Sequence, residues 1–224
     1  MQMKRTLLIL IAPVLLAACS STRTVRVAVP PRVDLHPYPV VGLVAFTSNA
    51  NPDVERVATE RFLREVQAAQ PGTRVVELGN EQQVLASVNA KQWNAKTLRA
   101  VGEQHGVDVL VMGRVDLDKV KPQVSVSTVW KNLSARADVN ATLTARLIET
   151  GNGATTWTNS AQVTTNVAHA DLSGRSGTFG ARDPEAVYGG MMDHLVCEVT
   201  DDFREHYVYR KVRKDEVQVA DVRD

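Results

Sequence analysis

The chain has 224 residues, 44% of them hydrophobic and 23% charged, which suits one globular domain or two small ones. Its 26 Lys and Arg stand against 25 Asp and Glu. That balance argues against nucleic acid as a partner and against a polybasic membrane patch. Two cysteines far apart in the chain, Cys19 and Cys197, offer no metal quartet.

Residues 1–18 read as an export signal. Lys4 and Arg5 are a positive start, and Thr6 to Leu16 is an apolar run. That run is too short for a membrane-spanning helix, which needs about 20 apolar residues. Small residues then lead to a cysteine, Leu16-Ala17-Ala18-Cys19. This segment resembles the lipobox of bacterial lipoproteins. The resemblance implies cleavage between Ala18 and Cys19 and acylation of the Cys19 thiol, palmitate included. Several acyl chains anchor a protein stably where one does not. By the same resemblance, Ser20 after the cysteine implies sorting to the outer membrane, facing the periplasm. The mature protein then has 24 Lys and Arg against 25 Asp and Glu, since Lys4 and Arg5 leave with the signal. Cys197 remains as the lone thiol, expected as a small buried hydrophobe on a helix, with an intermolecular disulfide as the alternative.

Residues 19–39 hold four prolines and no helical period, and are expected to be a tether, with Val33, Leu35 and Tyr38 able to pack onto the domain. A single domain is expected over 40–207. Val40 to Phe46 is a continuous apolar run, the pattern of a strand buried on both faces. Asn51-Pro52 opens a helix with Val54, Ala58, Phe62, Val66 and Ala69 on one face, ended by Pro71-Gly72. Thr73 to Leu78 is the next strand. Asn80 caps a helix carrying Val84, Leu85 and Val88. Another helix begins near Asn94, turns Leu98 and Val101 inward, and stops at Gly106. Val107 to Val115 is a third buried strand.

The second half alternates. Val139, Ala141, Leu143, Ala145 and Leu147 share one parity over 136–148, with polar residues between them, as in a half-exposed antiparallel strand. Glu149 to Gly153 is a hairpin turn, and 154–167 returns. Residues 171–182 are polar and glycine-rich, expected as a loop. Asp183-Pro184 opens a closing helix with Val187, Met191, Leu195, Val199 and Phe203 as its stripe. Residues 208–224 are expected to be a charged flexible tail. The fold class is therefore α/β: a mixed β-sheet with helices mainly on one face, a long hairpin in the C-terminal half and a closing helix.

Four phrases carry a family resemblance: VVGLVAF (40–46), RVVEL (74–78), GVDVLVMGRV (106–115) and ARLIETGNGATTW (145–157). Together they resemble periplasm-facing lipoproteins that include the curli secretion lipoprotein and the activator of penicillin-binding proteins. The amino-terminal domain of TolB shares them too. The resemblance implies an envelope setting and this fold, but transfers no site.

No nucleophile motif, phosphate-binding loop or dinucleotide fingerprint is present. Ser173, Ser176 and His169 are close in sequence only. His194 and His206 stand among Glu198, Asp201, Asp202 and Glu205, which reads as a solvated helix face. No catalytic residue, cofactor or metal ligand is therefore expected. Trp130, in a segment that strand pairing does not clearly claim, is the candidate partner contact, because Trp is enriched at binding hot spots. The expected function is a non-enzymatic binding or assembly module for an envelope component, either an envelope protein or peptidoglycan-associated machinery. The alternative is a subunit of an oligomeric outer-membrane secretion channel.

Overall fold

The computed structural model describes the backbone of residues 22–50, 52–118, 121–126, 132–173, 176–181 and 184–213. The chain divides into two compact units, Pro31–Arg204 and a smaller one formed by Met1–Pro30 with Glu205–Asp224.

Within Pro31–Arg204 the order is β2 (Val41–Val44), β3 (Thr47–Ser48), α1 (Pro52–Ala69), β4 (Val75–Gly79), α2 (Glu81–Ser87), α3 (Ala95–His105) and β5 (Val109–Leu117). Then come β6 (Lys121–Val126), β7 (Asn132–Glu149), β8 (Thr155–Ser173), β9 (Ser176–Ala181) and α4 (Pro184–Val199), with a 3-10 turn over Thr200–Phe203. One sheet runs in the order β4-β2-β5-β7-β8-β9, with β3 beside β5 and β6 beside β7. Strand β2 is parallel to β4 and β5, whereas β5, β7, β8 and β9 pair antiparallel. The sheet is mixed, with the long hairpin and closing helix that the sequence predicts.

The helix stripes explain the layering. Val54, Ala58, Phe62 and Val66 of α1 join Val187, Met191, Leu195 and Val199 of α4 over one face, against Val41, Leu43, Val109, Val111 and the odd positions of β7. Phe46, Phe62, Phe203 and Trp157 form an aromatic chain there, with adjacent centroids 5.0, 6.1 and 4.8 Å apart. Arg61 reinforces the α1–α4 contact through Asp193 at 2.7 Å and the Gly189 carbonyl. The two short helices lie on the opposite face, where Val84, Leu98 and Val101 pack on Val44 and Leu110. The cap at Asn80 is a capping box with Gln83, and Asn94 caps α3 at the Thr97 amide. Gly106 ends α3 at φ 65, where only glycine is unstrained.

Several expectations need correcting. Strand β4 is an edge strand, with Val76 exposed, so it is not buried like β2 and β5. The segment from Pro122 that strand pairing does not clearly claim in the sequence begins within β6, Lys121–Val126, which pairs with Leu133–Asp138. The expected loop 171–182 instead extends β8 to Ser173 and returns as β9, because glycine-rich polar residues still pair when a neighbouring strand supplies the ladder. The closing helix ends at Val199, and Phe203 is buried from the 3-10 turn.

Val33 and Leu35 pack on the domain as expected, whereas the pairing of 22–29 with 206–213 differs from expectation. Val33 and Leu35 are core residues. A buried glutamine fixes them: Gln70 Oε1 accepts from the Leu35 amide at 2.7 Å, and Nε2 donates to the carbonyls of Val33 and of Phe203, the latter at 3.1 Å. The smaller unit is an antiparallel ribbon in which β1 (Thr22–Val29) pairs with β10 (His206–Arg213). The four prolines all lie after Val29, which leaves 22–29 free to pair, and Val, Thr and Tyr supply the strand preference.

Candidate functional site

The alternation of β7 makes an open sheet face. Val139, Ala141, Leu143, Ala145 and Leu147 are buried, while Asn140, Thr142, Thr144 and Arg146 look the other way. Met112, Arg114 and Asp116 of β5 lie on the same outward face, since Val111 and Val115 belong to the core side. Helices α2 and α3 cover this face over Leu110 and Val44, with Met112 and Ile148 partly buried against the same cluster. Beyond them lies a groove of about 500 Å³. Its floor is Met112, Arg114, Thr144 and Arg146; its wall is Trp93, Leu98 and Glu81.

The groove mixes apolar surface with opposed charges. Arg114 is held by Asp116, whose two carboxylate oxygens share the single Nε–H at 2.8 and 2.9 Å. Arg146 is exposed and has no ion-pair or hydrogen-bond partner among the described residues. Trp93, in the connection between α2 and α3, is half-buried, and its Nε1 lacks a hydrogen-bond acceptor. The Trp93 Nε1 atom is itself buried, whereas the Arg146 guanidinium is exposed where both residues line the groove. Gly113 lies on the groove backbone. Its missing side chain makes room for the Phe46 ring, which would stand 2.6 Å from an added Cβ.

The residues singled out from the sequence lie elsewhere. Ala18, Cys19 and Trp130 fall outside the described residues. Cys197 is on α4 as expected, but it is exposed rather than buried, because it sits off the α4 stripe. Its Sγ accepts from Arg204 at 3.4 Å, and Arg204 also pairs with Glu65. His194 faces Glu198 at 3.7 Å on α4, whereas His206 belongs to β10 and not to the helix. Among the described residues no three His, Cys, Asp or Glu side chains gather as a metal site. Ser173 and Ser176 are register partners; the side chains of those two and of His169 lie outside the description.

Fold and groove together define an α/β sandwich with a half-uncovered sheet. No family model matches the chain, and no curated protein matches it. It is similar to solved structures at low identity. The PelC dodecamer from Paraburkholderia phytofirmans is 15% identical over 81% of this chain and 98% of that one, with a TM-score of 0.41. The LpoB C-terminal domain from Salmonella enterica is 13% identical over 69% and 92%, at 0.32. Lipoprotein GNA1162 from Neisseria meningitidis is 15% identical over 56% and 79%, at 0.31. Lipoproteins are thus among the structures it resembles. No helix among the described residues is long and apolar enough to cross a membrane.

Proposed function

We propose that this chain is a lipoprotein anchored in the outer membrane through Cys19, facing the periplasm and working there without catalysis. Its role is to bind and help assemble another envelope component, an envelope protein or peptidoglycan-associated machinery. The observation that carries this reading is the groove on the open sheet face, lined by the Trp93 ring and by the exposed Arg146, whose guanidinium has no partner among the described residues. Trp130, between β6 and β7 in the sequence, remains a second contact candidate. The test is site-specific photo-crosslinking in the living envelope, with the crosslinker at Thr144 in the groove and at Arg64 on α1 as a control. The reading expects one envelope component captured from 144 and not from 64, with capture lost in Trp93→Ala. Equal capture from both positions would remove the groove. A turnover abolished by substituting a groove residue would replace binding with catalysis.

One observation favours the channel alternative. The register of β6, β7, β8 and β9 forms three apolar rows: Pro122, Ala137, Ala168 and Ala181; Val124, Ala135, Ala170 and Phe179; Val126, Leu133, Leu172 and Gly177. The rows between them are mostly polar, so apolar and polar rows alternate in the register. Strands β6 and β9 are 6 residues each, whereas a spanning β-strand needs about 9–11. Among the described residues neither of those two strands reaches that length. Conductance across a planar bilayer, with ring-shaped particles in detergent, would bring the channel reading forward.

A further inference from the structure

The chain is nearly neutral, yet its two ends bring cations together. Strands β1 and β10 hold Arg23, Arg26, Arg210, Lys211 and Arg213, and neither strand holds an Asp or Glu. Taking those five from the mature chain leaves 19 Lys and Arg against 25 Asp and Glu elsewhere. The register sharpens the separation. Each of the five pairs nearest the amino terminus contains one cation: Thr22 with Arg213, Arg23 with Val212, Thr24 with Lys211, Val25 with Arg210, and Arg26 with Tyr209. The remaining pairs, Val27 with Val208, Ala28 with Tyr207 and Val29 with His206, contain no Lys or Arg.

Arg23, Arg26, Arg210 and Lys211 are exposed, and none has a carboxylate partner among the described residues. Cross-strand partners share a face, so Thr24, Arg26 and Ala28 stand with Lys211, Tyr209 and Tyr207. On this face Tyr209 is 74% and Tyr207 46% exposed, and the Arg26 guanidinium lies 3.5 Å over the Tyr207 ring. Large exposed aromatics between unpaired cations are the composition of a membrane interface, where Tyr sits at the headgroup level and Lys and Arg meet lipid phosphates.

We infer that the β1–β10 ribbon is a docking surface for the anionic phospholipid headgroups of the leaflet that holds the anchor. The inference rests on the lipoprotein reading for its placement, since only Ser20 and Ser21 separate Cys19 from Thr22. Two intervening residues span about 11 Å at most. The cationic half of the ribbon therefore starts within roughly a Debye length of the surface. Acyl chains hold the protein at the bilayer; the ribbon adds a headgroup contact that sets its pose there. The chemistry needs no bond to form or break.

The test uses the whole mature chain from Ser20 to Asp224, made without its lipid, so that binding reports the ribbon and not the anchor. Vesicles of phosphatidylcholine with about 30% phosphatidylglycerol are compared with pure phosphatidylcholine in co-sedimentation. Partition is expected to be about ten-fold higher on the anionic vesicles and to vanish as salt rises from about 20 to about 500 mM. Arg23→Gln with Arg26→Gln, or Arg210→Gln with Lys211→Gln, should each abolish most of that difference. Arg64→Gln with Lys96→Gln, outside the ribbon, should leave it intact. The composition and salt arms use the unaltered sequence, so a misfolded variant does not spare the proposal. Equal partition on both vesicles would overturn it. So would retention of the difference in both ribbon variants, or binding to peptidoglycan sacculi with none to vesicles. Acyl labelling of Cys19 in cells reads the anchor separately and distinguishes failure of the lipoprotein reading from failure of the ribbon.

Discussion

At the scale of single residues, two positions give sharp expectations. The Asp34 carboxyl accepts from the His36 amide at 3.0 Å and meets its ring Nδ1 at 2.7 Å. The backbone and ring hydrogen bonds of His36 hold Asp34 below its ordinary 3.8. The Asp34 side chain, helped by the Pro71 carbonyl, holds His36 above its ordinary 6.5. The contribution of His36 is complete below 6.5 and fades as pH rises through its higher folded value; that of Asp34 is present above 3.8 and fades as pH falls through its lower folded value. The pair is therefore fully formed between those limits. An NMR titration should place His36 above 6.5 and return it toward 6.5 in Asp34→Asn; no change in that variant would disprove the pairing. Gly113 is the second position. An added methyl would meet the rigid Phe46 ring at 2.6 Å inside the core. Gly113→Ala is expected to lower stability by about 1–3 kcal/mol in denaturant melts, while Gly151→Ala, with open space around it, changes far less.

At the scale of elements, helices were legible and long-range pairings were not. The stripe of α4 places Val187, Met191, Leu195 and Val199 in the core because a period of 3.6 is written within a few residues. The same holds for α1, and for the parity of β7. Strands β1 and β10 are different: Thr22 pairs with Arg213, and no local pattern announces a partner so far along the chain. Counting charge over the whole sequence hid the ribbon for the same reason. The groove was half legible. The polar parity of β7 marked an open face, but Trp93 sits in a connection whose place beside β5 depends on two helices docking. Gln70 was invisible in the sequence, since a glutamine near a helix end reads as solvated. It is 1% exposed and serves three backbone groups. Gln70→Leu leaves the Leu35 amide and two carbonyls without those partners, so a loss of about 2–3 kcal/mol is expected. Hydrogen exchange should then quicken first at Leu35. An unchanged melting curve would mean the glutamine is not the clamp.

At the scale of the molecule, the division into two units is itself testable. The core of Pro31–Arg204 draws on Val33 and Leu35 at its start and Phe203 at its end, and Trp157 Nε1 donates to Asp202 at 3.0 Å while Arg32 pairs with the same carboxylate at 3.1 Å. These closing contacts lie inside those limits. A two-stranded ribbon, by contrast, is marginal alone in water. A chain spanning Pro31–Arg204 is expected to unfold in one cooperative transition, with a midpoint close to that of the mature protein. Starting instead at Val40 removes Val33 and Leu35, and with them the amide and the carbonyl that bond to Gln70, and should cost several kcal/mol. Circular dichroism melts of the three lengths decide the matter. A non-cooperative melt for Pro31–Arg204 would show that the ribbon helps to hold the domain together. A shared midpoint for all three lengths would show that the lead-in segment contributes nothing to the core.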